Sequence, residues 1–342
     1  MNHFKLAFIG FGNVGKALAR LLLHKQAKIR QLYGITFSTT GIYTLRHGNA
    51  VNPDGINLAQ ALDLLAAGRS LQEISGPYRV DHPSELLQRC QADVLFENSP
   101  VNYATGQPAL DHLQQALSLG MHAITANKGP VVHAYPQLSQ LAASRGRKFF
   151  FESTVMDGAP IFSLFRSALP AARVLAMRGI LNSTTNLILC RMEAGEPFDQ
   201  AVAYAQSIGI AETNPSGDID GWDAAIKVSI LSTVLLEAPL KPDQVERRGI
   251  RDLTPDDLVQ AKKAGKRWKL VCSARRENRR VQARVQPELI DPDSPFYHIE
   301  GTTSIIQFES DVLGMLSILE SDPGPHTTAY GLFADFLNAV RG

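Results

Sequence analysis

The chain has 342 residues, enough for two domains of ordinary size, with 44% apolar residues and a formal net charge of +1. That balance gives no electrostatic argument for nucleic acid or an anionic membrane surface, and no apolar run is long enough to span a bilayer. Cys90, Cys190 and Cys272 share no close spacing, so they make neither a zinc motif nor a disulfide framework; Met1 leads into a short strand rather than a signal peptide, and a reducing cytoplasm is the expected location.

In chain order, residues 6–10 read as a buried strand, Gly10-Phe11-Gly12-Asn13-Val14-Gly15 as a turn, and 16–23 as the start of a helix with an apolar stripe. Strand and helix signals then alternate: β-rich at 34–43, helical at 84–90, strand at 92–96, helix at 109–119, strand at 122–125, helix at 135–144, strand at 148–151. Such alternation predicts parallel βαβ units, a Rossmann-type doubly wound parallel sheet with ligands at the carboxyl ends of its strands. The character changes near Glu152. A strand at 174–181, helices at 186–193 and 196–207, and strands at 268–274, 281–285 and 304–309 predict a second, α+β domain, with an amphipathic helix at 328–341. The expected division is a dinucleotide-binding domain at 1–150, a substrate domain at 151–317, and a segment from about 318 to 342 returning to the first.

Gly10, Gly12 and Gly15 match G-x-G-x-x-G between a strand and an amphipathic helix, where the mechanism needs them. The first glycine permits the tight turn, the second lets backbone approach a pyrophosphate, and the third lets helix and strand pack closely. No Asp or Glu lies between Ile29 and Asn52 to bind a ribose 2′-hydroxyl; the second strand instead ends near Thr44-Leu45-Arg46-His47-Gly48, which favours or tolerates the 2′-phosphate of NADP, with NAD still possible. Ser99 follows another strand, where a nicotinamide ribose would lie, and Lys128 follows the strand at 122–125 within reach of cofactor and substrate.

The densest chemistry is at residues 211–227, where Glu212, Asp218, Asp220, Asp223 and Lys227 fall in one loop and the first turns of a helix. That helix is apolar on nearly every face, and Lys227 is its only charge between Asp223 and Glu237. Burying an ammonium costs energy unless it has a partner, and Asp223 lies one turn earlier on the same face. A lysine so placed suits proton transfer at an alcohol or carbonyl, because burial favours the neutral amine while Asp223 opposes that drop. Glu212 and Asp218 suit a substrate ammonium, hence an amino acid. Asn182-Ser183-Thr184-Thr185-Asn186, between a strand and a helix, offers hydroxyls and free N–H groups for a carboxylate, or simply an N-cap.

Five segments in order resemble the homoserine dehydrogenase family: Gly10–Gly15; Asn127-Lys128-Gly129-Pro130; Glu152 through Pro160; Gly179 through Asn186; and Ala211 through Lys227, the most distinctive. The resemblance implies reversible NAD(P)H-dependent reduction of L-aspartate 4-semialdehyde to L-homoserine. It gives Lys227 the acid/base role, with Asp223 and Glu212 at the substrate and Asp218 close by. Thr184 would meet the substrate carboxylate, and Ser99 and Lys128 the nicotinamide half. It also implies a monovalent cation, usually sodium, held largely by backbone carbonyls at Glu152, Val155, Asp157 and Ala159, and a homodimer formed through the second sheet. The chain departs from the pattern at Ser183, Ile210 and Asn214, and carries Gly324-Pro325-His326-Thr327 where the family has Gly-Ala-Gly; Gly324 keeps the spacing of a cofactor contact. Ending at Gly342, the chain is expected to lack a regulatory domain and a fused kinase. Competing readings are another NAD(P)-dependent amino-acid dehydrogenase, a semialdehyde dehydrogenase working through a cysteine thioester, and a cofactor-binding sensor without catalysis.

Overall fold

The structure is a computed structural model that describes residues 1–277 and 280–341; Gly342, the last residue of the expected returning segment, lies outside them. Contacts divide the chain into two units: residues from Met1 to Pro160 together with those from Gly324 onward, and Ile161–Pro323.

The first unit is built on β1 (Asn2–Ile9), α1 (Asn13–Tyr33), β2 (Ile35–Tyr43), β3 (Ala50–Ile56), α2 (Leu58–Ala66), α3 (Pro83–Arg89), β4 (Val94–Glu97), α4 (Ala109–Ser118), β5 (His122–Thr125), α5 (Lys128–Ser144) and β6 (Phe149–Phe150). Its sheet runs β3-β2-β1-β4-β5-β6. β2, β1, β4, β5 and β6 are parallel, and β3 turns back antiparallel on β2. Strands buried on both faces read as apolar runs, as Val94-Leu95-Phe96 does. The order of strands reverses between β1 and β4, and such a switch point opens a crevice at the strands' carboxyl ends.

Two expectations shift here. The second strand stops at Tyr43, and residues 44–49 form a closed turn in which the Thr44 hydroxyl donates to the Gly48 carbonyl (2.8 Å) and accepts from the His47 N–H (2.9 Å). The turn leads into β3, whose Pro53 and Gly55 hid it as a strand; both are tolerated because β3 is an edge. Helix α5 begins at Lys128 rather than Tyr135. Asn127 caps it by accepting from Gly129 N–H (3.0 Å), and a kink at Ala134 precedes Pro136, which masked the first turns in the sequence.

The second unit contains β7 (Val174–Ile180), α6 (Ser183–Met192), α7 (Phe198–Ser207), α8 (Ser216–Ile219), α9 (Trp222–Leu235), β8 (Glu246–Arg247), α10 (Pro255–Lys263), β9 (Arg267–Glu277), β10 (Arg280–Ile290), β11 (Ser304–Ser310) and β12 (Gly314–Glu320). Its sheet runs β12-β11-β7-β9-β10-β8. The sequence reading found β7, β9, β10 and β11 but not β12, whose apolar residues Met315 and Leu319 stay exposed. Helices α6 and α9 pack on β9, with Ala224, Ala225, Ile226, Val228 and Ile230 of α9 buried.

The last helix, α11 (Pro325–Val340), belongs to the first unit. Phe336 meets Phe4, Phe37 and Phe96 edge-on, with centroids 6.1–6.4 Å away. The stretch from 151 to 160 also clusters with this unit, a later division than the expected one at 150. A Cβ on Gly158 would sit 2.4 Å from the Thr327 carbonyl, so only glycine allows that approach to α11. Asp157, at φ +36°, accepts from Gly324 N–H (2.7 Å) and from the Thr327 (2.7 Å) and Thr328 (3.1 Å) hydroxyls, tying the start of α11 in place.

Candidate active site

The three glycines of the turn after β1 face different surroundings. Gly10 has φ +87°, and a Cβ there would lie 2.3 Å from the Asn98 carbonyl at the end of β4. A Cβ on Gly15 would lie 2.8 Å from the Gly10 carbonyl. At Gly12, by contrast, a Cβ would meet nothing within 4 Å. Gly10 and Gly15 therefore serve the fold, and the bare surface at Gly12 faces open space. Gly12 caps α1 without a side-chain hydrogen bond, and the first turn, starting Asn13-Val14, carries no acid. Helices α2, α5, α6 and α10 have their first N–H groups taken by Asn57, Asn127, Asn182 and Thr254. Uncapped N–H groups with the positive end of the helix dipole suit a pyrophosphate, so the residues present fit a dinucleotide.

Ser99 and Asn127 lie at the ends of β4 and β5. The Asn127 amide donates to the Ser99 carbonyl (3.2 Å). Both are organised by Glu97, a carboxylate with no exposed surface that sequence reasoning missed. Glu97 accepts from Ser99 N–H (3.2 Å), the Ser99 hydroxyl and the Thr125 hydroxyl (3.3 Å), and lies 3.3 Å from His112 Nδ1. The only signal was an acid closing a wholly apolar strand, a position where a charge needs partners. Lys128, half-buried, is the first residue of α5. Arg46 is exposed in the turn after β2.

In the second unit, Lys227 and Asp223 share one face of α9, 3.1 Å apart, with side chains 14% and 15% exposed. Lys227 Nζ also donates to the Leu181 carbonyl at 2.6 Å. Asn182 then joins the group: its Nδ2 donates to Asp218 (2.6 Å) and Asp223 (3.1 Å). Burial, then the nearby Asp223 charge, raises the Asp218 carboxyl above the usual range, while the Asn182 amide, Lys227 and the Thr184 hydroxyl pull it back. Thr184 is buried and also donates to the Ile210 carbonyl (3.2 Å). Gly221, at φ +79°, makes the turn that carries the chain from α8 into α9.

The remaining acids are placed differently. Glu212 is exposed, its carbonyl accepting from Gln206 (3.1 Å). Asp220 is bound by Arg251 at 3.0 Å. Asn214, where the family pattern has Asp, accepts from Ser216 N–H (3.2 Å) and hydroxyl (2.8 Å), a turn-forming task that either side chain performs. Among the described residues no group of three or more His, Cys, Asp or Glu side chains could hold a metal ion. Glu152, Val155, Asp157 and Ala159 lie in an irregular stretch that opens with a single 3₁₀ turn, and Asp157's carboxylate is taken by α11. Main-chain oxygens there are the donor type a hard monovalent cation accepts.

A Rossmann-type unit with an open cradle, in a chain that also carries a lysine held by a carboxylate and a main-chain carbonyl, defines an NAD(P)-dependent oxidoreductase. Residues 160–337 match the homoserine dehydrogenase family model, and residues 10–152 match that of the homoserine dehydrogenase NAD-binding domain. An NAD(+)-dependent homoserine dehydrogenase of Pseudomonas canavaninivorans is 34% identical over 99% of this chain and 96% of its own length. A crystal structure from Archaeoglobus fulgidus bearing the same family name superposes with a TM-score of 0.88 at 28% identity, covering 99% of this chain and all of that one. A hyperthermophilic archaeal homoserine dehydrogenase in complex with NADPH gives a TM-score of 0.83 at 28% identity over 99% of this chain and 98% of its own. The chain belongs to the homoserine dehydrogenase family.

Proposed function

We propose that the chain interconverts L-aspartate 4-semialdehyde and L-homoserine, with Lys227 as the general acid and base. The observation that carries this is the Lys227 ammonium held by the Leu181 carbonyl and Asp223 on an otherwise apolar helix. A bound nicotinamide supplies or accepts the hydride. Lys227 then gives a proton to the aldehyde oxygen as negative charge develops on it, or takes the hydroxyl proton in the reverse direction. Asp223 fixes the direction of the amine. Asp218 binds the substrate ammonium, with the exposed Glu212 as a second carboxylate, and Thr184 meets the substrate carboxylate. Ser99 and Lys128 bind the nicotinamide half, Gly10–Gly15 the pyrophosphate, and Gly324 the cofactor near the start of α11.

NADP(H) is the expected cofactor, with NAD(H) second. Arg46 follows the end of β2 by three residues, and the sequence carries no carboxylate between residues 29 and 52. One relative is named for NAD(+) and another was solved with NADPH, so the family accommodates both. A sodium ion would be held by main-chain oxygens of Glu152, Val155, Asp157 and Ala159. The chain would work in the cytoplasm as a homodimer, paired through the face of the second sheet that presents Arg178, Arg275, Arg284, Gln307 and Met315 around a depression of about 390 Å³. The test is homoserine oxidation with each cofactor at varied sodium and potassium, on protein whose mass is measured by sedimentation. Turnover with NADP+ exceeding that with NAD+ supports the reading; no turnover with either defeats it.

A further inference from the structure

Asn182 occupies a position whose ordinary task is plain. It caps α6, its side-chain oxygen accepting from Thr185 N–H (2.8 Å) and from the Thr185 hydroxyl (2.9 Å). Ser, Thr or Asp would perform that task as well. What they lack is the other half of the amide. Because a backbone N–H can only donate, the oxygen of Asn182 must face Thr185, and the NH2 group must face the two carboxylates. Its two hydrogens go to two different acceptors, Asp218 Oδ1 on α8 and Asp223 Oδ2 on α9. One neutral donor therefore lies between two anions that otherwise repel each other.

The preceding residue completes the arrangement. Lys227 donates to the carbonyl of Leu181, so two consecutive residues at the junction of β7 and α6 engage all three ionisable groups. The cap bonds anchor the junction to α6, and the strand anchors it to the sheet. We infer that Asn182 is a positioning residue: its amide holds Asp218 and Asp223 at fixed separation, so that Asp223 faces Lys227 while Asp218 remains available to the substrate ammonium.

This rests on the reading of Asp218 as an ammonium ligand. The groups acting on Asp218 are Asp223 and Lys227 from α9 and Asn182 and Thr184 from α6. Asp220, two residues on, is engaged by Arg251. Cys272 on β9 also faces this cluster; burial pushes its thiol up to about 12, so it stays neutral. Of these, only Asn182 donates to both carboxylates among the described hydrogen bonds.

The test compares Asn182→Ser and Asn182→Asp, which both keep a capping oxygen and remove the bridging NH2, in the full-length enzyme. Hydrogen bonds to charged groups are worth enough that homoserine kcat/KM should fall about 10- to 100-fold for Ser and further for Asp, which adds a third carboxylate. The KM for the dinucleotide should stay near that of the unsubstituted enzyme, while the Tm falls in both variants, further for Asp than for Ser, because two buried carboxylates lose their shared donor. The acidic limb of the kcat/KM profile should move to higher pH in Asn182→Ser, because Asp218 loses a hydrogen bond that favours its charged form. A capping role alone would leave both variants near full activity with an unmoved profile, and that result overturns the proposal. Should Asn182→Asp fail to fold, Asn182→Ser alone decides. Asp218→Asn separates the two claims: unchanged homoserine KM there defeats the reading of Asp218, whereas a raised KM with a silent Asn182→Ser defeats only the role of Asn182.

Discussion

Substituting alanine at Gly12 and at Gly15 should separate binding from folding, although the glycines are three residues apart in one motif. At Gly12 the added methyl meets nothing within 4 Å beyond its immediate chain neighbours, and the φ of −77° suits any residue. The loss of a favourable capping residue and the gain from a stiffer unfolded chain are each below about 1 kcal/mol and opposite in sign. The Tm should therefore move by no more than about 3 °C. The methyl nevertheless occupies the face a pyrophosphate must approach, so dinucleotide affinity should fall about 10-fold or more, roughly 1.4 kcal/mol. At Gly15 the methyl lies 2.8 Å from the Gly10 carbonyl, a backbone atom that cannot swing aside. Overpacking of this kind costs about 1–3 kcal/mol, and the Tm should drop by about 3–10 °C. Thermal unfolding without ligand, paired with titration of dinucleotide by fluorescence or calorimetry, reads both quantities. Equal loss of Tm in the two variants, or unaltered affinity in Gly12→Ala, would refute this division of labour.

Three further outcomes are expected. His122 is buried with Nδ1 accepting from Lys148 N–H (3.1 Å), and burial, then Arg147, lowers its pKa to about 4 from 6.5. Its contribution to stability is present above about pH 6.5 and lost as pH falls toward 4, because the unfolded chain takes up the proton first; chemical denaturation across that window should show a loss that His122→Asn diminishes. Cys90 and Cys272 are buried with thiols pushed up to about 11 and 12, too poorly ionised for a thioester mechanism, so Ser at either position should leave kcat within about threefold, and a collapse of kcat at one would revive it. Arg46→Glu should reduce kcat/KM for NADP+ about 10-fold or more with little change for NAD+, since an exposed cation replaced by an anion acts mainly on the 2′-phosphate; equal losses would remove Arg46 from cofactor choice.

The first sheet was legible because its strands are short apolar runs with glycine punctuation, and the doubly wound order follows from their alternation with helices. Strand β3 escaped because Pro53 and Gly55 break the strand pattern, and the first turns of α5 escaped behind Pro136. In the site, Lys227 stood out as a lone charge on an apolar helix, and Asp223 followed from helical spacing. Glu97 did not stand out, and Asn182 stood out only as one residue of a polar segment read as a carboxylate site or an N-cap, for a common reason. Each acts through partners distant in sequence: Glu97 on Thr125, and Asn182 on Asp218 and Asp223. A buried polar residue looks ordinary in one dimension; its function lies in contacts that only the fold creates.

Lys227→Ala tests most directly whether Lys227 is the proton-transferring group. The variant should fold and bind the dinucleotide with near-normal affinity, because its contacts lie with Leu181 and Asp223 in the second unit. Its kcat for homoserine oxidation should fall about 10²- to 10⁴-fold, the usual contribution of a general acid or base. A folded Lys227→Ala enzyme turning over homoserine within a few-fold of the normal rate would contradict the account.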